Sequence, residues 1–294
     1  MKRANQSNTI LRRVFNDISI EHKFKRDGFV IVPMLKPEEL SELKESLLQL
    51  QPSDNYKGNQ NTAIGQQSFH VTFFDSNLEY KQKVFNYITS KFKGISRSLL
   101  NNYKCAQANV FLKPTGSGFV YPHQNLTITD EAKYTSLSFW LPLQDTDYEN
   151  GTVCLVPGSQ NDFVKYRNTH IYWPYVNYFK EGAGLKYFTP INIKAGELLI
   201  IDDRIIHYTP INRSGSDRWV IHAVWTPDEA PVWFCDPKND EVKIYEVVDN
   251  FWQFHLPGTF PEQEASKIII NDEVIYTETE LTEKLEALKI GVSS

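Results

Sequence analysis

Three residues of this chain, His123, His207 and Arg218, have types and spacings that could build one reactive centre. His123 lies in GFVYPHQNLT, just after a candidate strand, and His207 lies in GELLIIDDRIIHYTPINRSGSDRW, where a β-branched run delivers it to a turn. Arg218 follows eleven residues later, at the start of another apolar run. Taken singly, a histidine is more often a packed or hydrogen-bonded structural residue than a ligand. Together the three describe a chemistry. Two neutral imidazoles, usually joined by a carboxylate, hold iron(II) on one face and leave positions open for a bidentate 2-oxo acid and for oxygen. The planar fork of an arginine can then grip the far carboxylate of 2-oxoglutarate through two charge-assisted hydrogen bonds.

Ligands 84 residues apart meet only where strands distant in sequence lie side by side, as they do in a jelly roll. The elements needed for that are legible. Short apolar runs at 106–112, 134–143, 151–156, 196–201 and 219–225 are separated by Gly- and Pro-containing turns, which predicts a sandwich, jelly roll or barrel. Asn150-Gly151 and Pro157-Gly158-Ser159 read as turns between these strands. Before them, a strand at 29–32 leads into a helix that starts at Pro37, carries Glu38 and Glu39 in its first turn and repeats leucine at Leu40, Leu43, Leu47, Leu48 and Leu50; its apolar face is expected on a sheet. Residues 80–100 form a further helix. The class is therefore α+β, mainly β: a double-stranded β-helix (jelly roll, cupin-like) with flanking helices and a C-terminal extension.

The expected division is a single domain over residues 1–226, N-terminal helices included, with residues 227–294 packed on it and Thr277 or Thr279 capping a short terminal helix. The polar stretch 51–67 has the composition of an exposed loop bordering a site. Residues 161–190 are rich in aromatics, among them Phe163, Tyr172, Trp173, Tyr175 and Phe188, without a clear period. Such a segment either covers a ligand pocket or meets a partner. The pocket cover is the preferred reading.

Composition narrows the class. The 31 basic and 36 acidic residues are dispersed, giving a net charge of -5 and no field to gather nucleic acid or anionic lipid. No run approaches a membrane span, and the start has no secretory h-region, so a cytoplasmic protein is expected, with neither nucleic acid nor membrane as partner. Cys105, Cys154 and Cys235 are odd in number and lack CxxC spacing; they read as small buried hydrophobes in a reducing compartment.

Four segments in order, FKRDGFVIVPMLKPEEL, YPHQN, SFWLPLQDTDYENGTVCLVPGSQ and GELLIIDDRIIHYTPINRSGSDRW, resemble the phytanoyl-CoA dioxygenase-like branch of the iron(II) and 2-oxoglutarate-dependent oxygenases. The resemblance spans about residues 24–226. It implies His123 and His207 as iron ligands, Arg218 and Thr209 on the 5-carboxylate of 2-oxoglutarate, and Trp140 near the cosubstrate, with Asn109 or Lys113 also reaching it. It also implies a small-molecule substrate and O2 as reaction partners.

One position departs from the pattern. The family's first motif is His-X-Asp, whereas this chain has His123-Gln124-Asn125. A neutral amide oxygen is a weaker donor than a carboxylate and leaves the centre one charge unit more positive. Four outcomes are open at this stage. Asn125 serves as a weak third ligand or leaves a water there; Asp130 or Glu131 folds back to supply a carboxylate; the position admits chloride and makes a halogenase; or the chain keeps the pocket as a non-catalytic binding or scaffold protein. Asp202 and Asp203 could orient His207, but a solvated turn is the preferred reading, and His70, His170, His222 and His255 have no ligand context.

Overall fold

Strand alternation sorts the side chains onto two faces. On Tyr103–Lys113 (β3), Ala108, Val110 and Leu112 turn to one side, and Gln107, Asn109 and Phe111 to the other. Its antiparallel neighbour Arg218–Pro227 (β10) does the same, with Trp219, Ile221, Ala223 and Trp225 opposed to Arg218, His222 and Val224. The period of two is the cause: one face packs under a helix and the other lines a cavity.

The chain is described here from a computed structural model, which covers residues 11–58, 69–168, 173–180, 184–238, 240–273 and 275–292. The remaining strands are Phe29–Pro33 (β1), His70–Val71 (β2), Val120–His123 (β4), Leu137–Pro142 (β5), Cys154–Leu155 (β6), Thr189–Pro190 (β7), Glu197–Asp202 (β8), His207–Thr209 (β9), Val232–Lys238 (β11), Glu241–Val247 (β12) and Lys267–Ile270 (β13). A six-stranded antiparallel sheet runs β1-β8-β5-β10-β3-β2, and a four-stranded one runs β4-β9-β6-β7. Those two sheets form the double-stranded β-helix. The third sheet, β11-β12-β13, follows in the C-terminal region.

The helices are Ile18–Asp27 (α1), Pro37–Leu48 (α2), Leu78–Leu99 (α3), Val176–Lys180 (α4), Phe251–Phe254 (α5) and Glu278–Val292 (α6). Val84, Ile88 and Phe92 of α3 pack on the outer face of the large sheet beside Phe139 and Trp225, and Leu43 and Leu47 of α2 join the same core, as their leucine spacing predicts. Sequence reading missed α1, although Asp17 caps it by accepting from the amides of Ser19 and Ile20, and Gly28 ends it at φ 80°. The helix is mostly polar, with only Glu21 and Phe24 buried, so no apolar stripe announced it.

Helices beyond residue 227 contact the earlier part of the chain. Gln253 accepts from the Ala108 amide (2.7 Å), and Leu281 and Leu285 of α6 share a core with Tyr187, Ile206 and Tyr208. Thr277 caps α6: its backbone amide donates to Glu280 (2.9 Å) and its hydroxyl accepts in return from the Glu280 amide (3.4 Å). No helix among the described residues is long and apolar enough to cross a membrane. Residues 59–67 of the polar loop, and His170 and Tyr172, lie outside the described residues.

Candidate functional site

His123 and His207 are direct cross-strand partners on the antiparallel pair β4 and β9, so both side chains leave the sheet on one face. Their ring centroids lie 4.3 Å apart. Nδ1 of His123 donates to the Tyr121 carbonyl at 2.7 Å, and Nδ1 of His207 to the Ile205 carbonyl at 3.0 Å. A carbonyl can only accept, so each ring carries its proton on Nδ1 and keeps the Nε2 lone pair for another partner. Burial lowers the pKa of both rings, that of His207 further because His123 faces it. Two neutral imidazoles fixed in the metal-binding tautomer fit a divalent ion.

Asn125 follows two residues after His123. Its Nδ2 donates to Asp203 Oδ1 (2.8 Å) and to Ser138 Oγ (3.0 Å), and its backbone amide to the Asp203 carbonyl (2.9 Å). The amide nitrogen therefore turns away toward Asp203, and Oδ1 accepts no hydrogen bond among the described residues. Neither proposed substitute carboxylate is present at the centre. Glu131 is bound to Arg167, and Asp130 accepts from the Ala132 amide (3.3 Å) and from Lys133 (3.1 Å).

Asp202 and Asp203 are not a solvated turn, as the sequence suggested. Both are buried: Asp202 takes a two-pronged contact from Arg204 (2.9 and 2.6 Å), and Asp203 accepts from Ser138 (2.6 Å) and Asn125 rather than orienting His207. Burial pushes the Asp203 pKa up to about 6 against the hydrogen bonds it accepts. His222, which offered no ligand context in the sequence, stacks on Phe111 (4.9 Å) and bonds Ser138 through Nε2 (3.0 Å). Its burial drops its pKa to about 3, so it stays neutral.

At the other end of the cavity Arg218 is 2% exposed, and its Nε and Nη1 have no hydrogen-bond partner among the described residues. Its guanidinium lies 5.3 Å from the centre of the Trp140 ring. Burial without a counter-ion pulls its pKa down to about 9. Lys113, its cross-strand neighbour on β3, is also fully buried and donates to Thr209 Oγ1 (2.6 Å) and the Pro210 carbonyl (2.7 Å). Burial, and then the adjacent Arg218, hold that ammonium well below the ordinary lysine value. Gly118 (φ 85°) makes room for it, since a Cβ there would lie 2.3 Å from Lys113 Cγ. A buried guanidinium with open donors, facing a buried lysine across a strand pair, fits a carboxylate-bearing ligand. Thr209 is held by Lys113, and Asn109 reaches His222 (3.3 Å) while its Oδ1 stays unpartnered.

The cavity between these groups has a volume of about 830 Å³. Its outer wall is apolar and aromatic, with Phe73, Phe74, Tyr121, Trp173, Trp252 and Leu256. Val164, Tyr166, Trp173 and Val176 come from the aromatic segment, which forms part of the pocket wall as expected. Gln124, between the two motif positions, ties that wall down. Its Oε1 accepts from the Val164 amide and from Trp173 Nε1, both at 3.1 Å, and its Nε2 donates to the Arg204 carbonyl (2.7 Å).

The sequence model of the phytanoyl-CoA dioxygenase (PhyH) family matches residues 24–220, and this chain belongs to that family. It is 34% identical over 117 residues to phytanoyl-CoA dioxygenase 1 of Oryza sativa subsp. japonica, covering 37% of this chain and 39% of the relative. It is 26% identical over 148 residues to phytanoyl-CoA dioxygenase domain-containing protein 1 of Danio rerio, covering 44% and 50%. The matched stretches thus span half or less of those relatives. Among solved structures, HygX from Streptomyces hygroscopicus with nickel and 2-oxoglutarate bound is similar in fold (TM-score 0.52, 14% identity, 72% of this chain and 88% of that one). So is the non-haem α-ketoglutarate-dependent epimerase SnoN from nogalamycin biosynthesis (TM-score 0.50, 19% identity, 86% and 96%).

Proposed function

We propose that this chain is an iron(II)- and 2-oxoglutarate-dependent dioxygenase that oxidises, by default hydroxylates, an unactivated C–H bond of a small, largely apolar metabolite. The observation that carries this reading is the pairing of two Nε2-free imidazoles with an unpartnered buried arginine in one cavity. His123 and His207, with Asn125 through Oδ1, would hold the metal. Arg218 would take the far carboxylate of 2-oxoglutarate, with Thr209 beside it, its hydroxyl oriented by Lys113, and Trp140 stacked under the guanidinium. When bound, iron and 2-oxoglutarate supply with O2 a two-electron oxidation of substrate that also yields succinate and carbon dioxide.

The protein's own share is binding, orientation and exclusion of water. The Nδ1 bonds to Tyr121 and Ile205 hold both rings against rotation. The aromatic wall supplies a dry space for the substrate. Against a CoA ester stands the charge pattern: of the arginines and lysines lining the cavity among the described residues, Arg167 is bound to Glu131 and Arg218 lies at the carboxylate end. A halogenase would need an open third position, which the asparagine side chain would crowd.

Anaerobic titration of the metal-free protein with iron(II) and 2-oxoglutarate tests the proposal. A visible metal-to-ligand charge-transfer band at one equivalent is expected. Its absence at saturating concentrations would overturn the enzyme reading in favour of a binding protein that has lost the metal.

A further inference from the structure

The site's negative charge stands one hydrogen bond behind the position where a carboxylate ligand would be. Asp203 is 1% exposed and makes no salt bridge among the described residues; the adjacent Arg204 is taken up by Asp202. Proton counting fixes the direction of every bond around it. Ser138 gives its single hydroxyl proton to Asp203 (2.6 Å), so its oxygen accepts from Asn125 Nδ2 (3.0 Å) and from His222 Nε2 (3.0 Å). His222 then accepts at Nδ1 from Asn109 (3.3 Å). The Asn125 nitrogen faces two acceptors, and a flipped amide would set its oxygen against a carboxylate. The amide is therefore locked with Oδ1 as its free atom.

Resting on the metal reading above, we infer that Asp203 is a positioning residue that replaces the missing ligand carboxylate at one remove, orienting and polarising Asn125 so that a neutral amide can complete the metal centre. A buried carboxylate without a cation is costly to keep. A dication held by His123, His207 and Asn125 would be its charge partner through the amide. Direct ligation by Asp203 is a different arrangement: among the described residues its oxygens do not join the two imidazoles in a cluster within 4.8 Å. Outer partners of this kind typically change metal affinity by about 10- to 100-fold when removed.

The test is titration of the metal-free full chain with cobalt(II), read by calorimetry and by the d–d absorption that reports coordination. Asp203→Asn is expected to weaken binding by roughly 10- to 100-fold. Asn125→Asp should fall short of the tightening a carboxylate ligand normally gives, because it sets two carboxylates within hydrogen-bonding distance. Asn125→Asp should tighten binding more in the Asp203→Asn background than in the unaltered protein, a coupling that a purely structural role for Asp203 would not produce. Ser138→Ala gives an independent reading if D203N does not fold, with a smaller loss expected. Unaltered affinity in D203N or, failing its folding, in S138A, or effects of N125D and D203N that simply add, overturns the inference alone. An unaltered protein that binds no cobalt(II) overturns the metal reading and this inference with it.

Discussion

Two buried arginines on the wall of the same cavity are treated in opposite ways. Arg167 forks onto both oxygens of Glu131 and donates to the carbonyls of Asn125 (2.5 Å) and Val164 (2.7 Å), leaving no part of its charge for a ligand. Arg218 is as deeply buried, yet two of its nitrogens have no partner and no carboxylate pairs with it among the described residues. The first arginine joins the aromatic wall to the segment that follows His123. The second carries a cost in stability that a bound anion would offset. Burial alone does not separate a structural cation from a binding one; the count of satisfied donors does.

Substitutions can break that contrast. Arg167→Ala should cost about 4 kcal/mol of stability by denaturant unfolding, because Glu131 is left buried and unpaired, and removing both partners as R167M/E131Q should cost much less. A loss under about 1 kcal/mol would put Arg167 among ordinary surface pairs. Arg218→Ala should do the reverse. Affinity for 2-oxoglutarate, measured calorimetrically with metal present, should fall about 100-fold, near 3 kcal/mol, while unfolding stability holds or rises. Unchanged affinity would remove Arg218 from the site.

Smaller effects sharpen the same comparison at the cation end. Gly118→Ala should destabilise the fold by about 1–3 kcal/mol, since it combines a positive φ with a collision against the Lys113 stem. If the melting temperature does not move, Lys113 does not need its present path. Thr209→Val removes one hydroxyl and should weaken 2-oxoglutarate binding about fivefold, close to 1 kcal/mol, without altering metal affinity. Unchanged affinity would mean that Thr209 does not contact the ligand.

The sequence was most informative where chemistry and strand period coincide. His123 ends a short strand, His207 ends a β-branched run and Arg218 begins another, so their convergence could be read from a jelly-roll topology, and β1, β3, β5, β8 and β10 were visible as apolar runs. Residues whose role depends on what faces them were not visible. Ser138 and His222 meet because β5 and β10 pair, and Asp203 reads as half of a polar Asp-Asp turn until Asn125 folds over it. The β11–β13 sheet was missed for a similar reason. Its β-branched runs are short, and their pairing joins residues such as Val242 and Ile269 across an intervening helix.

Gln124 gives the chain an unusual mechanical wiring. The two residues flanking it, His123 and Asn125, line the same cavity, and its own side chain is hooked to the backbone of Val164 and the indole of Trp173 in the pocket wall. Any outward swing of that wall to admit a substrate must either unhook Gln124 or drag the strand that bears His123. Opening the door and straining its frame are then a single motion, and the state of the wall is felt at His123 without a separate messenger.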